Sequence, residues 1–283
     1  SAMNGPTWQA IVPELVPRDE LPNAIALNSA AFNLARAIGP AAGGLLVAAF
    51  ADVYHGAGVV FVINAISFLA VIYVLIAWKR KPLFTSTLPA ERLAGSIRAG
   101  VRYTRHSPAM RSILLRTFLQ TFCVAAMWAL LPVVARHAMP SKGALGYGIL
   151  NGCIGVGAVI GATTLPRLRT RFNANQIINA SAVIVALVLL VMGWWPLPIA
   201  LFIALLLGGV AWTSTTSSLN IAVQFSVPAW VQARSLGVYQ MIFWGGMAIG
   251  SVLWGAIADR MNLETAFSIA ALGLAASLLV AKW

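Results

Sequence analysis

Residues 172–233 read FNANQIINASAVIVALVLLVMGWWPLPIALFIALLLGGVAWTSTTSSLNIAVQFSVPAWVQA, 62 consecutive positions without one Asp, Glu, Lys, Arg or His. A soluble domain carries charge every few residues, because roughly a quarter of its residues are charged. A helix needs about 20 apolar residues to cross a bilayer. The stretch therefore holds two crossings, with Trp194-Trp195-Pro196-Leu197-Pro198 as the turn between them. The chain reads as an integral membrane protein.

The rest of the sequence agrees, with 60% hydrophobic and 9% charged residues and only 7 acidic side chains in 283. Uncharged or nearly uncharged windows fall at about 21–51 (interrupted only by Arg36), 58–78, 117–135, 143–166, the paired run 172–233, 235–258 and 265–281. They make eight spans after a short apolar lead at 1–17. Between spans two and three lie Lys79, Arg80, Lys81, Arg92, Arg98, Arg102, Arg105, Arg111 and Arg116. Arg167, Arg169 and Arg171 follow span four, Arg18 precedes span one, and Arg234 precedes span seven. The opposite loops hold only Arg136, Lys142 and Arg260. The positive-inside rule puts the first set in the cytoplasm. The formal charge of +12 is thus an orientation signal, and a nucleic-acid partner is not expected. The bilayer is the expected partner, and the location a multi-pass protein of the cell (inner) membrane.

Cys123 and Cys153 sit inside apolar spans and read as small packing residues. His55, His106 and His137 lie near span ends without metal-ligand spacing. No catalytic dyad or phosphate loop appears, so neither an enzyme nor a metal or other cofactor is expected.

A weak internal repeat adds topology. At an offset of 211 residues Val16-Pro17 meets Val227-Pro228, and Ala37-Ile38-Gly39 meets Ala248-Ile249-Gly250. Gly44 meets Gly255, Gln9 meets Asn220, and Ala26 meets Gly237. The offset pairs span one with span seven, which run the same way across the membrane. Parallel repeats of six-helix units are one transporter architecture. Under that pairing span one is the fifth helix of its unit. The expectation is a chain beginning within helix four of a twelve-helix protein, opened by Ser1 rather than Met.

Gly39-Pro40-x-x-Gly43-Gly44 resembles the fifth-helix motif of drug-antiporter branches of the major facilitator superfamily, with Ala35 where a further Gly is usual. The run Pro6-Thr7-Trp8-Gln9-Ala10-Ile11-Val12-Pro13-Glu14-Leu15-Val16-Pro17 is similar to the enterobactin-exporter-like efflux group. So are Asn28, Asn33-Leu34-Ala35-Arg36-Ala37 and Gly100-x-Arg102-Tyr103. The resemblance implies an all-α membrane fold running from the end of helix 4 through helix 12 of a six-plus-six repeat. Residues 1–78 would close the first half, 79–110 would form a cytoplasmic linker, and 111–283 would form the second half. It implies a secondary active transporter exporting a small amphipathic molecule by alternating access, as a monomer, with protons as coupling ion. An uptake permease for a sugar or metabolite, and a transport-inactive sensor or scaffold, are the alternatives.

Pro40 removes a backbone donor and bends its helix, while Gly39, Gly43 and Gly44 let another backbone approach. Span four, with Gly148, Gly152, Gly157 and Gly161, is the expected partner. The resemblance implies a moving contact between helices five and eight; tight packing without gating is the plainer reading. Arg36, inside span one, either snorkels to the cytoplasmic face or serves as a gate or coupling partner. In span six, Thr213, Thr216, Ser217 and Asn220 share one face at i, i+3, i+4, i+7. The resemblance makes that span helix ten, beside the central cavity, although Ser and Thr also bond back to their own helix. On span three Gln120 and Trp128, with Phe118 and Phe122, offer a complementary apolar wall, and on span seven Tyr239, Gln240, Phe243 and Trp244 give another mixed face. Leu93, Ile97 and Val101, ringed by arginines, read as an amphipathic linker helix on the inner leaflet. All seven acidic residues fall in loops or at span ends, so a proton-coupling group is expected upstream.

Overall fold

With no water in the bilayer core, every backbone N–H and C=O must be paired within the chain, and a long uncharged run answers by forming a helix. The computed structural model describes residues 52–78, 102–195, 197–228 and 232–280, with scattered positions between 16 and 50. Seven long helices fill these stretches: α1 Val53–Ala77, α2 Pro108–Ala138, α3 Gly143–Arg169, α4 Ala174–Trp194, α5 Pro198–Ser226, α6 Gln232–Arg260 and α7 Leu263–Val280. By length and composition α1 to α6 are each able to cross a membrane. At 18 residues α7 lies near the short end of the spanning range. Among the described residues these helices correspond to spans two to eight. For span one, residues 42–47 are helical, and most of the remainder lies outside the described residues.

Local chemistry sets the ends. The Asp52 carboxylate accepts from the Tyr54 N–H at 3.0 Å and pairs with His55 Nδ1 at 2.6 Å, starting α1. Ser107 caps α2, with Pro108 in the first turn where its missing N–H costs nothing. Asn173 and Gln176 form a reciprocal capping box at α4. Between α2 and α3 a single 3₁₀ turn, Pro140–Lys142, leads into Gly143 at φ +47°, a left-handed backbone that suits glycine.

From α2 to α7 the helices share one core, with Met110, Ile113, Met127 and Leu131 of α2 and Phe267 of α7 fully buried. Lipid tails are as apolar as leucine, so close approach and dispersion hold membrane helices together. Glycine makes that approach possible. A Cβ at Gly157 of α3 would strike the Leu206 carbonyl of α5, and one at Gly161 would lie 2.9 Å from the Val210 oxygen. Gly209 of α5 returns the contact against Ile154. Gly246 and Gly250 of α6 lie against the backbone of Phe118 and Phe122 in α2, and Trp254 donates its Nε1–H to the Phe122 carbonyl at 2.7 Å.

Two expectations change. Gly157 and Gly161 serve the α3–α5 seam inside this bundle, whereas Gly148 meets the glycine motif: a Cβ on Gly44 would lie 3.3 Å from its Cα and 3.1 Å from the Ala144 oxygen. Among the described residues nothing lies within 4 Å of a Cβ added at Gly39 or Gly43. Arg116, counted above with the loop arginines, lies inside α2 and is 2% exposed. A charge count along the chain marks it as a boundary, but Asn175 and Asn179 of α4 supply acceptors that let it stay buried.

Candidate functional site

The hydroxyl-rich run of α5 divides by face. Ser214, Thr215 and Ser218 are buried among the helices of the bundle, and Thr213 is 9% exposed. Thr216, Ser217 and Asn220 are half-buried and form the open side. Thr216 donates back to the Trp212 carbonyl at 2.9 Å, the ordinary helical resolution for a threonine. Asn220 accepts from Gln224 Nε2 at 2.6 Å, one turn along the same helix, which leaves its amide N–H₂ available.

An aromatic lattice ties this region to α2 and α6. Trp128 of α2 meets Trp212 of α5 edge-on at 5.9 Å, and Trp212 meets Phe243 of α6 at 5.6 Å. Phe243 in turn contacts Tyr239 at 6.1 Å and Trp244 at 5.3 Å. Offset and edge-on rings at these separations attract beyond their buried area. Of the residues expected at the site, Trp128 and Tyr239 thus join through Phe243, which the sequence places on the same face as Tyr239, and through Trp212, which the sequence reading left out. Tyr239 is 2% exposed, so its ring belongs to the packed lattice; Gln240 beside it is half-buried.

Gln120 is 3% exposed and borders a chamber of ≈ 10 Å³, about the room one water needs, together with Thr121, Ser181, Trp212, Thr216 and Phe243. Gln120 and Thr216 are therefore brought together, but within the bundle. Gln9, Arg36 and Pro40 lie outside the described residues. Among the described residues no three His, Cys, Asp or Glu side chains gather as a metal site would require. The Arg116–Asn175–Asn179 cluster was missed, and its signal was an asparagine pair four apart at the start of an uncharged span.

These helices and seams define a multi-pass α-helical membrane protein with the fold of the major facilitator superfamily. The pattern of the transmembrane secretion effectors matches residues 1–283, and the chain belongs to that family of the superfamily. The "Staphyloferrin A transporter" of Staphylococcus aureus (strain NCTC 8325 / PS 47) is 26% identical over 247 residues, 85% of this chain. The chain spans 58% of that relative's length. The crystal structure of the E. coli fucose:proton symporter FucP superposes with a TM-score of 0.57 at 20% identity, over 77% of this chain and 53% of the other. A bacterial homologue of the human lysosomal transporter Spinster, in an inward-facing conformation, gives 0.55 at 14% identity, over 95% and 70%. Both likenesses concern the fold.

Proposed function

We propose that the protein is a secondary active exporter of a small amphipathic molecule, working by alternating access at the bacterial cell membrane. Residues 1–78 would contribute to the first six-helix half, 79–110 would link the halves on the cytoplasmic side, and 111–283 would form the second half. The observation that carries the reading is the open side of α5, where Ser217 and Asn220 stand half-buried beside Thr216, whose hydroxyl bonds back to its own helix. Amides and hydroxyls on such a surface both donate and accept, which suits a neutral polar group on an apolar ligand. The family's description as secretion effectors supports outward transport, and the staphyloferrin relative supports a small metabolite as cargo. Gln9, which the 211-residue offset equates with Asn220, would face it from the first half. Gly44 against Gly148 is the proposed moving contact, with Arg36, eight residues earlier in the sequence, as the proposed gate or coupling partner. Protons are the proposed coupling ion, and the unit of transport is a monomer.

The test is Asn220→Leu in the full-length protein, with efflux normalised to surface protein. The cavity reading expects transport per molecule to fall at near-normal abundance. An amide that only bonds another helix, worth about 0.6–2 kcal/mol in membranes, would lower abundance and leave transport per molecule unchanged.

A further inference from the structure

Arg167, Arg169 and Arg171 stand exposed at one end of the bundle, where α3, α5 and α7 finish and α2, α4 and α6 begin. All twelve buried Arg, Gln, Ser and Thr side chains among the described residues lie from the bundle's middle toward this arginine end. Gln120, Ser181, Ser218, Ser235 and Ser277 stand for α2, α4, α5, α6 and α7. The opposite half is filled by Met127, Leu131, Leu189, Leu201 and Phe267. Five of the twelve, Arg116, Gln120, Ser214, Ser218 and Ser235, hold a buried polar atom without a hydrogen-bond partner. Such an atom has exchanged its bonds to water for none, and native structures hold few of them. A serine can rotate its hydroxyl onto its own helix. Gln120 has two amide atoms to satisfy, and neither is.

The two halves are also joined differently. Away from the arginine end, backbones touch, with Gly209 against Ile154 and Gly250 against Phe122. There Trp254 donates its Nε1–H to the Phe122 carbonyl at 2.7 Å, and Trp194 donates to the Ser268 hydroxyl at 3.0 Å. At the arginine end Arg116 reaches Asn175 and Asn179 through side chains alone, by bonds that water can replace. The Trp128–Trp212–Phe243 lattice lies between the two regions.

We propose that the bundle is a one-ended hinge: α2, α4, α5 and α6 part at the arginine end about the aromatic lattice and admit water to Gln120 and Ser218, while the opposite half stays closed. Parting at the arginine end gives the unpartnered amide and hydroxyl groups their hydrogen bonds. Parting at the other end would break backbone contacts and wet an apolar core. The hinge concerns the inside of this bundle and needs no cargo, so it stands or falls apart from the exporter reading.

The test uses the full-length protein in detergent, where both ends meet solvent, with Cys123→Ala and Cys153→Ala as background. A charged methanethiosulfonate then reads how often one introduced cysteine meets water. Ser218 and Ala204 lie on the same helix and are 2% and 7% exposed. Ser218→Cys should label at least about tenfold faster than Ala204→Cys, and faster than the protein unfolds globally. Gln120→Leu removes the two unpartnered amide atoms and should slow labelling of Ser218→Cys by at least about fivefold. If Gln120→Leu does not fold, Ser214→Ala decides by the same slowing, since it removes an unpartnered hydroxyl with little change of volume. Equal rates at the two positions would overturn the hinge, as would labelling of Ser218→Cys no faster than global unfolding. A permanently wet arginine end would give fast labelling that the deciding variant leaves unmoved, and that result overturns it equally.

Discussion

Gly157→Ala adds one methyl group to the backbone seam of α3 and α5. The new Cβ would overlap the Leu206 carbonyl oxygen and sit 2.8 Å from its carbon and 3.1 Å from its Cα. Carbon atoms pack best at about 3.5–4.0 Å, so α3 must withdraw from α5 by roughly 1 Å. A gap of that size forfeits about a quarter to a half of each dispersion contact across the seam. Neighbouring Gly161 and Gly209, which also sit against the opposite backbone, would lose their contacts too. Overpacking of this kind costs about 1–3 kcal/mol. Alanine returns about 0.5–1 kcal/mol through its helix preference. The net loss of roughly 1–2 kcal/mol corresponds to a midpoint about 2–8 °C lower. With the half-buried Cys153 replaced by Ser, a thiol-reactive dye reads the transition, because Cys123 is 4% exposed and becomes accessible only as the bundle opens. Gly237→Ala is the control, since nothing lies within 4 Å of its added Cβ. If Gly157→Ala melts at or above the unmodified protein, the helices do not touch backbone to backbone at this depth.

Trp254→Phe keeps an aromatic ring but trims the buried indole and deletes the 2.7 Å bond to the Phe122 carbonyl. The hydrogen bond accounts for about 0.6–2 kcal/mol of the loss, seen with the lost packing as a lower midpoint in the same assay. At the start of α1, the Tyr54 N–H and then the His55 side chain hold the Asp52 carboxyl below the usual carboxylate range. A group lowered on folding stabilises above its unfolded value, near 3.9, and that contribution fades as pH falls through the folded value. The protection factor of the Tyr54 amide, taken against its intrinsic exchange rate at each pH, should therefore hold at neutral pH and fall in acid, with Asp52→Ala, which removes the acceptor, unprotected throughout. Topology is tested with single cysteines in intact cells: one at Trp195 should react with an impermeant maleimide from outside, and one at Thr170 only after permeabilisation. The reverse pattern would invert the assigned orientation.

Hydropathy carried most of the helix content, because a bilayer leaves an uncharged run of 20 residues no other way to pair its backbone. The uncharged windows still fell short of the helices. The window at 117–135 is α2 from Pro108 to Ala138, since Ser107 and Pro108 can start the helix ahead of Arg111 and Arg116. Arg116 was misplaced for the same reason: one chain position does not reveal acceptors about 60 residues away. Facing residues on α5 were legible from their 3.6-residue spacing, which groups Thr213, Thr216, Ser217 and Asn220. That spacing could not say which side opens, and Thr213 proved buried while Asn220 is half-open. Gln120 shows the limit most clearly. Its polarity marks it out on an apolar helix, but its direction depends on how α2, α4 and α5 close around it.

The Trp128–Trp212 contact has an optical consequence. Two indoles held edge-on at 5.9 Å couple their electronic transitions, so the near-ultraviolet circular dichroism of the folded protein should carry a paired signal from these rings. Trp212 is also in contact with Phe243 and sits one turn before Thr216 on α5. Any displacement of α5 against α2 tilts one indole relative to the other and changes the sign or depth of that signal. The pair is thus a label built into the seam between these two helices, readable without a dye or an engineered cysteine.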